Sequence, residues 1–328
     1  VLALELLKRG ASGLLPLLRL LDVDGVAGGL GFGWLGACVL LSGSPVAAIA
    51  LALLAGGALS TLEAFAMIGG SRLGASFVVL VLGAADDFRA GRRDGRAAYV
   101  GATALLATAA IYVPALLCGY LALDRGLLSG LSLEGRALDS LLQPLFGAVA
   151  SAAAASLPPL ALFGLGLGSL LGGFRALDLA LPDLSGERSP LERVGRVVLR
   201  PVVLFLLGAG LTCLTLSVSM SISLLVPLTA RGWIRRENVW PYVCGANVTT
   251  LIDTLLAGAL VGHPDAVRIV ALQILFVALL SLPVVLVVPH AFGRWLDRLA
   301  RAATATPRAR YAFVGLVLLI PALLLGLG

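Results

Sequence analysis

The chain has 328 residues, of which 59% are apolar and only 13% charged, where an average soluble domain carries roughly 25% charge. With a mean hydropathy of +1.02 it cannot supply the polar surface of a water-soluble fold, which excludes a soluble enzyme, a disordered chain and a nucleic-acid binder together. The formal charge of +6 sits almost wholly on arginines in short loops, a distribution that reports membrane topology rather than a ligand patch.

Residues 1–24 read as an N-terminal amphipathic segment, apolar but broken by Lys8, Arg9, Pro16 and Arg19. No signal-peptide cleavage pattern follows it, and an interfacial helix is the simplest reading. Apolar segments then run over 26–41, 45–59, 64–85, 98–123, 141–174, 198–216, 218–230, 239–262, 267–289 and 311–328. About 20 helical residues cross a ~30 Å hydrocarbon core. Two adjacent pairs are too short for that. Segments 26–41 and 45–59 join at Ser42-Gly43-Ser44-Pro45, and segments 198–216 and 218–230 join at Ser217-Val218-Ser219. Two half-depth helices meeting at a polar tip describe a re-entrant hairpin, a backbone tolerated at depth only where protein or a water-filled cavity surrounds it. The cysteines Cys38, Cys118, Cys213 and Cys244 stand singly in apolar runs and read as small hydrophobes.

The two hairpins resemble copies set 175 residues apart. Cys38-Val39-Leu40-Leu41-Ser42-Gly43-Ser44 matches Cys213-Leu214-Thr215-Leu216-Ser217-Val218-Ser219, and Gly33, Gly57 and Gly70 fall on Gly208, Gly232 and Gly245 without a gap. The Arg-rich stretches 86–96, 175–200, 231–237 and 290–310 are predicted cytoplasmic. Their equivalents in the other copy are nearly bare of charge, so equivalent loops fall on opposite sides. The expected architecture is therefore an all-α integral membrane protein of two inverted-topology repeats, each with a re-entrant helical hairpin and broken helices. The first repeat would span 25–123, connecting spans and a cytoplasmic loop 124–197, the second repeat 198–290, and a basic loop with the C-terminal span 291–328.

Four serines, Ser42, Ser44, Ser217 and Ser219, mark the tips, where hydroxyls and freed backbone N–H groups at a helix end suit an anion. Serines also simply pack helices closely; two symmetric Ser-x-Ser tips favour the binding reading. Gly70-Ser71-Arg72-Leu73-Gly74 and Gly245-Ala246-Asn247-Val248-Thr249-Thr250 form a second matched pair. Asn247, Thr249 and Thr250 offer the hard oxygens that suit Na+. Arg72 replaces Asn247 in the first copy. A mid-span arginine is costly and functional by default, suited to gripping an oxyanion with two donors. Asp253 is expected to act as a cation ligand, a proton carrier or the partner of Arg72. Glu63 and Glu237 read as solvated loop positions, and Gln273 as a helix–helix hydrogen bond. No P-loop, zinc spacing or hydrolase motif is present, and an enzyme is not expected.

The stretch Arg200-Pro201, Gly208, Thr212-Cys213-Leu214-Thr215-Leu216-Ser217-Val218-Ser219, Pro227-Leu228, Gly232-Trp233-Ile234, Glu237, Pro241 and Gly245-Ala246-Asn247-Val248-Thr249-Thr250 resembles the repeat of the sodium/phosphate cotransporter type II family. Residues 25–123 resemble a weaker version of the same repeat. The resemblance implies two inverted repeats whose hairpins meet at mid-membrane, Na+-driven uptake of inorganic phosphate across the plasma (cytoplasmic) membrane, no cofactor beyond Na+ as coupling ion, and no nucleic-acid partner. It assigns phosphate to Ser42, Ser44, Ser217 and Ser219, and the post-hairpin motif to Asn247, Thr249 and Thr250. Leu41 and Leu216 replace the family's glutamines, and Gly43 and Val218 replace the middle serine of each tip. These departures leave two alternatives open: a carrier of another oxyanion or organic anion, and a non-transporting scaffold or regulatory membrane protein.

Overall fold

The computed structural model describes residues 2–21, 23–89, 96–126, 146–180, 200–215, 221, 225, 229 and 238–327. Every regular element among them is helical. Six helices are long and apolar enough to cross a bilayer, Thr61–Val81, Ala98–Asp124, Pro159–Ala176, Val239–Leu260, Pro264–Leu286 and Pro307–Leu325. The chain is thus an all-α, multi-pass membrane protein.

The chain opens with α1 (Leu2–Gly10), a 3-10 turn (Ala11–Leu14) and α2 (Leu15–Leu20). α1 packs on the later helices Pro159–Ala180 and Gly43–Ala55. A Cβ at Gly10 would lie 2.4 Å from the Phe163 backbone nitrogen, and one at Gly13 2.4 Å from that of Leu160. Leu4, Leu6 and Leu7 are buried with Glu5, which faces Lys8 at 3.9 Å and Arg9 at 3.6 Å on its own helix.

Helices α3 (Gly25–Leu40) and α4 (Gly43–Ala55) follow. The break between them is sharp, because Leu41 adopts a left-handed conformation (φ 52°) and Ser42 an extended one. A left-handed leucine is costly and marks a bend that its surroundings hold. At 16 and 13 residues, both helices are shorter than a crossing requires, and α4 is buried along almost its whole length. Next come α5 (Thr61–Arg89) and α6 (Arg96–Asp124). Ser60 and Glu63 start α5 with a reciprocal cap: the Glu63 carboxylate accepts from the Ser60 N–H at 2.7 Å, and the Ser60 hydroxyl accepts from the Glu63 N–H at 3.3 Å. The other Glu63 oxygen takes the Gly25 N–H at 2.9 Å, so one carboxylate tends two helix starts. Glu237 lies outside the described residues.

The apolar run 141–174 is two helices rather than one, α7 (Ala148–Ser156) and α8 (Pro159–Ala180). Pro158-Pro159 ends the first, and Leu157 is extended (φ −118°, ψ 141°), as a residue before proline prefers. Then come α9 (Pro201–Thr215), α10 (Val239–Thr249), α11 (Ile252–Leu260), α12 (Pro264–Leu286), α13 (Pro289–Thr304) and α14 (Pro307–Leu325). Most of segment 218–230, with Ser217 and Ser219, lies outside the described residues. Gln273 forms the expected helix–helix bond, donating to the Phe65 carbonyl at 2.6 Å.

Two helix pairs share one contact geometry. A Cβ at Gly33 of α3 would meet the Met67 carbonyl oxygen of α5 at 2.0 Å, and one at Gly208 of α9 would meet the Tyr242 carbonyl oxygen of α10 at 2.0 Å. A Cβ at Gly70 would lie 2.1 Å from the Leu30 carbonyl oxygen, and one at Gly245 1.8 Å from that of Phe205. A Cβ at Gly74 would lie 2.2 Å from the Trp34 carbonyl oxygen; at the matching place Thr249 donates its hydroxyl to the Ala209 carbonyl at 2.9 Å. All three contacts recur at the 175-residue offset read from the sequence. Glycine disfavours helix in water by about 1 kcal/mol. Here it lets two backbones touch, as small residues do in membrane interfaces.

The helix after each pair crosses to the other pair. Helix α6 packs on α5 and on α10, while α12 packs on α10 and on α5. The links are polar: Asn247 of α10 bonds to α6, and Gln273 of α12 bonds to α5. Outside the spans, Arg301 of α13 grips Asp297 with its Nε at 2.9 and 2.8 Å, and Tyr99 donates to the same carboxylate at 2.6 Å. The Arg301 guanidinium holds the Asp297 carboxyl below its usual range.

His263 caps α12 by accepting the Asp265 N–H on its Nδ1 at 3.2 Å, which requires a neutral ring. Burial pushes its pKa below 6.5, Asp265 opposes the shift and Lys8 adds to it. The unfolded chain therefore takes up this proton before the folded one does. His263 is neutral toward stability well above pH 6.5 and costs stability as pH falls through 6.5 toward the lower folded value. Between pH 7.5 and 5 the melting temperature of the wild type should fall by more than that of His263→Asn, which keeps a capping acceptor without the titration. Parallel slopes for the two proteins would refute this.

Candidate functional site

Arg72 lies in the middle of α5 and is 4% exposed. The serines around it are satisfied within the helix: Ser71 donates to the Ile68 carbonyl at 2.6 Å and Ser76 to the Arg72 carbonyl at 3.1 Å. The Arg72 side chain leaves its own helix. Nη1 donates to Thr250 Oγ1 at 3.1 Å and Nη2 to Thr254 Oγ1 at 2.8 Å. The Thr254 hydroxyl passes its own proton to Asp253 Oδ1 at 3.0 Å, and the same oxygen accepts the Thr254 N–H at 2.6 Å. Arg72 and Asp253 are therefore not a direct ion pair, as one of the expectations had it; a single hydroxyl stands between the charges. Asp253 occupies the first turn of α11, where a carboxylate is favoured by the helix dipole and one oxygen is taken by backbone. Its Oδ2 is buried without a hydrogen-bond partner among the described residues, and so is Arg72 Nε.

Thr250 and Leu251 form the two-residue joint between α10 and α11 within the single span Val239–Leu260. The three residues of the motif expected to share one cation turn three ways. Asn247 Nδ2 donates to Thr108 Oγ1 of α6 at 3.0 Å, Thr249 donates to the Ala209 carbonyl of α9, and Thr250 accepts from Arg72 of α5. Tyr112, fully buried on α6, donates to the Asn247 carbonyl at 3.1 Å. Arg72, Thr250, Asp253 and Thr254 thus form one cluster, with Asn247, Thr108 and Tyr112 against it and Thr249 turned away toward α9.

Ser42 and Ser44 are half-buried at the bend between α3 and α4, and the Ser42 hydroxyl makes no cap bond to α4. Between them, a Cβ at Gly43 would lie 2.7 Å from the Ser71 carbonyl oxygen. The bend therefore rests on the turn of α5 that carries Arg72. Helix α4 also packs on α11, which carries Asp253 and Thr254. Ser217 and Ser219 lie outside the described residues. Nearby, Ser221 is buried and accepts from Thr212 Oγ1 at 2.7 Å, while Tyr242 donates to the Ser221 carbonyl at 2.9 Å with the two hydroxyls 2.8 Å apart. At the equivalent positions the first copy has Ala37, Val46 and Met67, all buried, so one packing place is polar in one half and oily in the other.

Thr108, Tyr112, Tyr242 and Thr254 were not picked out by sequence reasoning, and Thr212 entered only as a letter of the family motif. Isolated hydroxyls in apolar helices carry no signature. Only Thr254, one residue after the singled-out Asp253, had a neighbour to draw attention to it. Comparison with protein families, with curated proteins and with solved structures finds no match.

Proposed function

We propose that this protein is a secondary transporter of a small anion, inorganic phosphate in the first place, coupled to Na+ and working by alternating access across the cytoplasmic membrane. The observation that carries the reading is Arg72. Among the described residues, the guanidinium buried at mid-helix meets two neutral hydroxyls instead of a carboxylate and retains an unused buried Nε. A guanidinium has five N–H donors, so it keeps capacity for an oxyanion, and its cost in the membrane interior calls for a functional partner.

The scaffold in this proposal is a pair of inverted repeats. The glycine contacts that recur at one offset support it, as do the crossing of α6 and α12 to the opposite pair and the alternation of arginine-rich loops. Ser42, Ser44, Ser217, Ser219 and Arg72 are assigned to the anion. Asn247 and Thr249 are assigned to the coupling cation; Thr250 and Asp253, expected from the sequence to join them, stand with the Arg72 guanidinium instead. Leu41, Leu216, Gly43 and Val218, apolar where the family resemblance calls for polar residues, favour a second reading in which another oxyanion or an organic anion is the cargo.

The test is uptake of labelled phosphate into proteoliposomes with and without an inward Na+ gradient, beside Ser42→Ala and Ser217→Ala. Accumulation that follows the gradient and falls at least about tenfold in each serine variant supports the proposal. Uptake no higher than in protein-free vesicles under either condition overturns phosphate as the cargo. Binding competition by other anions would then decide for or against the second reading.

A further inference from the structure

We infer that Arg72 is a tethered cation: its guanidinium fills a cation site that Thr250, Thr254 and Asp253 would otherwise offer to a mobile alkali ion. The inference rests on the transport reading above for its meaning, but not for its test.

Thr250 Oγ1, Thr254 Oγ1 and an Asp253 carboxylate are hard oxygen donors, the chemistry that holds Na+. They cluster where α10 ends and α11 begins, a joint of the kind that holds ions in broken membrane helices. The Arg72 guanidinium lies against two of these three groups. It takes both hydroxyls directly and reaches the carboxylate through one of them. Asp253 keeps a buried, unpartnered Oδ2, as expected where an oxygen set is occupied by a group too large to reach every donor.

The internal comparison points the same way. At the equivalent place in the other half stands Asn247, a neutral side chain that donates to Thr108. One half therefore carries a neutral amide and the other a fixed charge. A fixed charge cannot be released at the end of a cycle. The protein would thus neutralise part of its anion's charge without drawing on the ion gradient, and Asn247 and Thr249 remain for mobile ions.

The experiment compares melting temperatures of purified protein in detergent, with NaCl titrated against choline chloride and no phosphate present. Arg72→Asn, which restores the residue of the other half, should acquire a saturable Na+-dependent rise of a few degrees at Na+ about tenfold above its dissociation constant. The rise should exceed any Na+ response of wild type, should be absent from Arg72→Lys, and should vanish in Arg72→Asn/Asp253→Asn. A folded, monodisperse Arg72→Asn whose Na+ response equals that of wild type overturns the inference. Should that variant not fold, Asp253→Asn in the wild-type background decides. A loss of Na+ response there means that Asp253 already holds a mobile ion, which overturns the inference; a response equal to wild type supports it. Neither readout needs phosphate, so a failed uptake assay and a failed tethered charge are told apart.

Discussion

Arg72→Met should lower phosphate uptake at least about 100-fold. Truncating one member of a buried, hydrogen-bonded charged network costs roughly 2–5 kcal/mol, and each 1.4 kcal/mol is a factor of ten. Methionine matches the arginine stem as far as Nε, so the apolar packing of the stem is kept while the guanidinium is lost. It takes the donors away from Thr250 and Thr254 and with them the cation that reaches Asp253 through Thr254. Arg72→Lys should be milder but not silent, since an ammonium cannot span both hydroxyls as a planar fork does. Initial uptake rates in proteoliposomes, normalised to inserted protein, check the order wild type, lysine, methionine. Methionine equal to wild type would remove Arg72 from the transport path.

Among the described glycines, Gly245→Ala should be the most damaging alanine substitution. Its Cβ would sit 1.8 Å from the Phe205 carbonyl oxygen, and a carbonyl inside a helix cannot turn aside. The α9 and α10 backbones would have to part, which costs about 3 kcal/mol, toward the upper end for overpacking. Gly70→Ala should cost a similar amount in the α3–α5 pair, where the facing Leu30 carbonyl lies at 2.1 Å. Gly164→Ala, at a position with no heavy atom within 4 Å of the built Cβ, should be tolerated or slightly stabilising through helix propensity. Thermal unfolding in detergent checks all three. Equal melting temperatures for Gly164→Ala and Gly245→Ala would show that the helix pairs have slack.

Span positions were legible because the bilayer fixes them through hydropathy. The run 239–262 became α10 and α11, and 267–289 became α12, with ends displaced by only a few residues. The break between α3 and α4 was legible from Ser42-Gly43-Ser44-Pro45. The break inside 141–174 was missed although Pro158-Pro159 was visible, because continuous hydropathy outweighed the prolines. Glu63, read as a solvated loop residue, caps α5 and reaches the start of α3. Arg72 and Asp253 stood out as charges in oil, and they do lie in one cluster. Their connection through Thr254 could not be read, because which face of α11 meets α5 depends on the joint at Thr250 and Leu251 and not on residue type. The glycines Gly33, Gly70, Gly208 and Gly245 were seen as matching letters; that each abuts a carbonyl of its partner helix is a fact of geometry that the letters do not state.

Those four abutments also limit how the molecule can change shape. A carbonyl oxygen pressed against a glycine Cα on the neighbouring strut acts as a peg in a socket. Sliding one strut along the other by even half a turn would bring larger side chains onto the peg. Shear within either strut pair is therefore blocked, and each pair can swing only as a single lever.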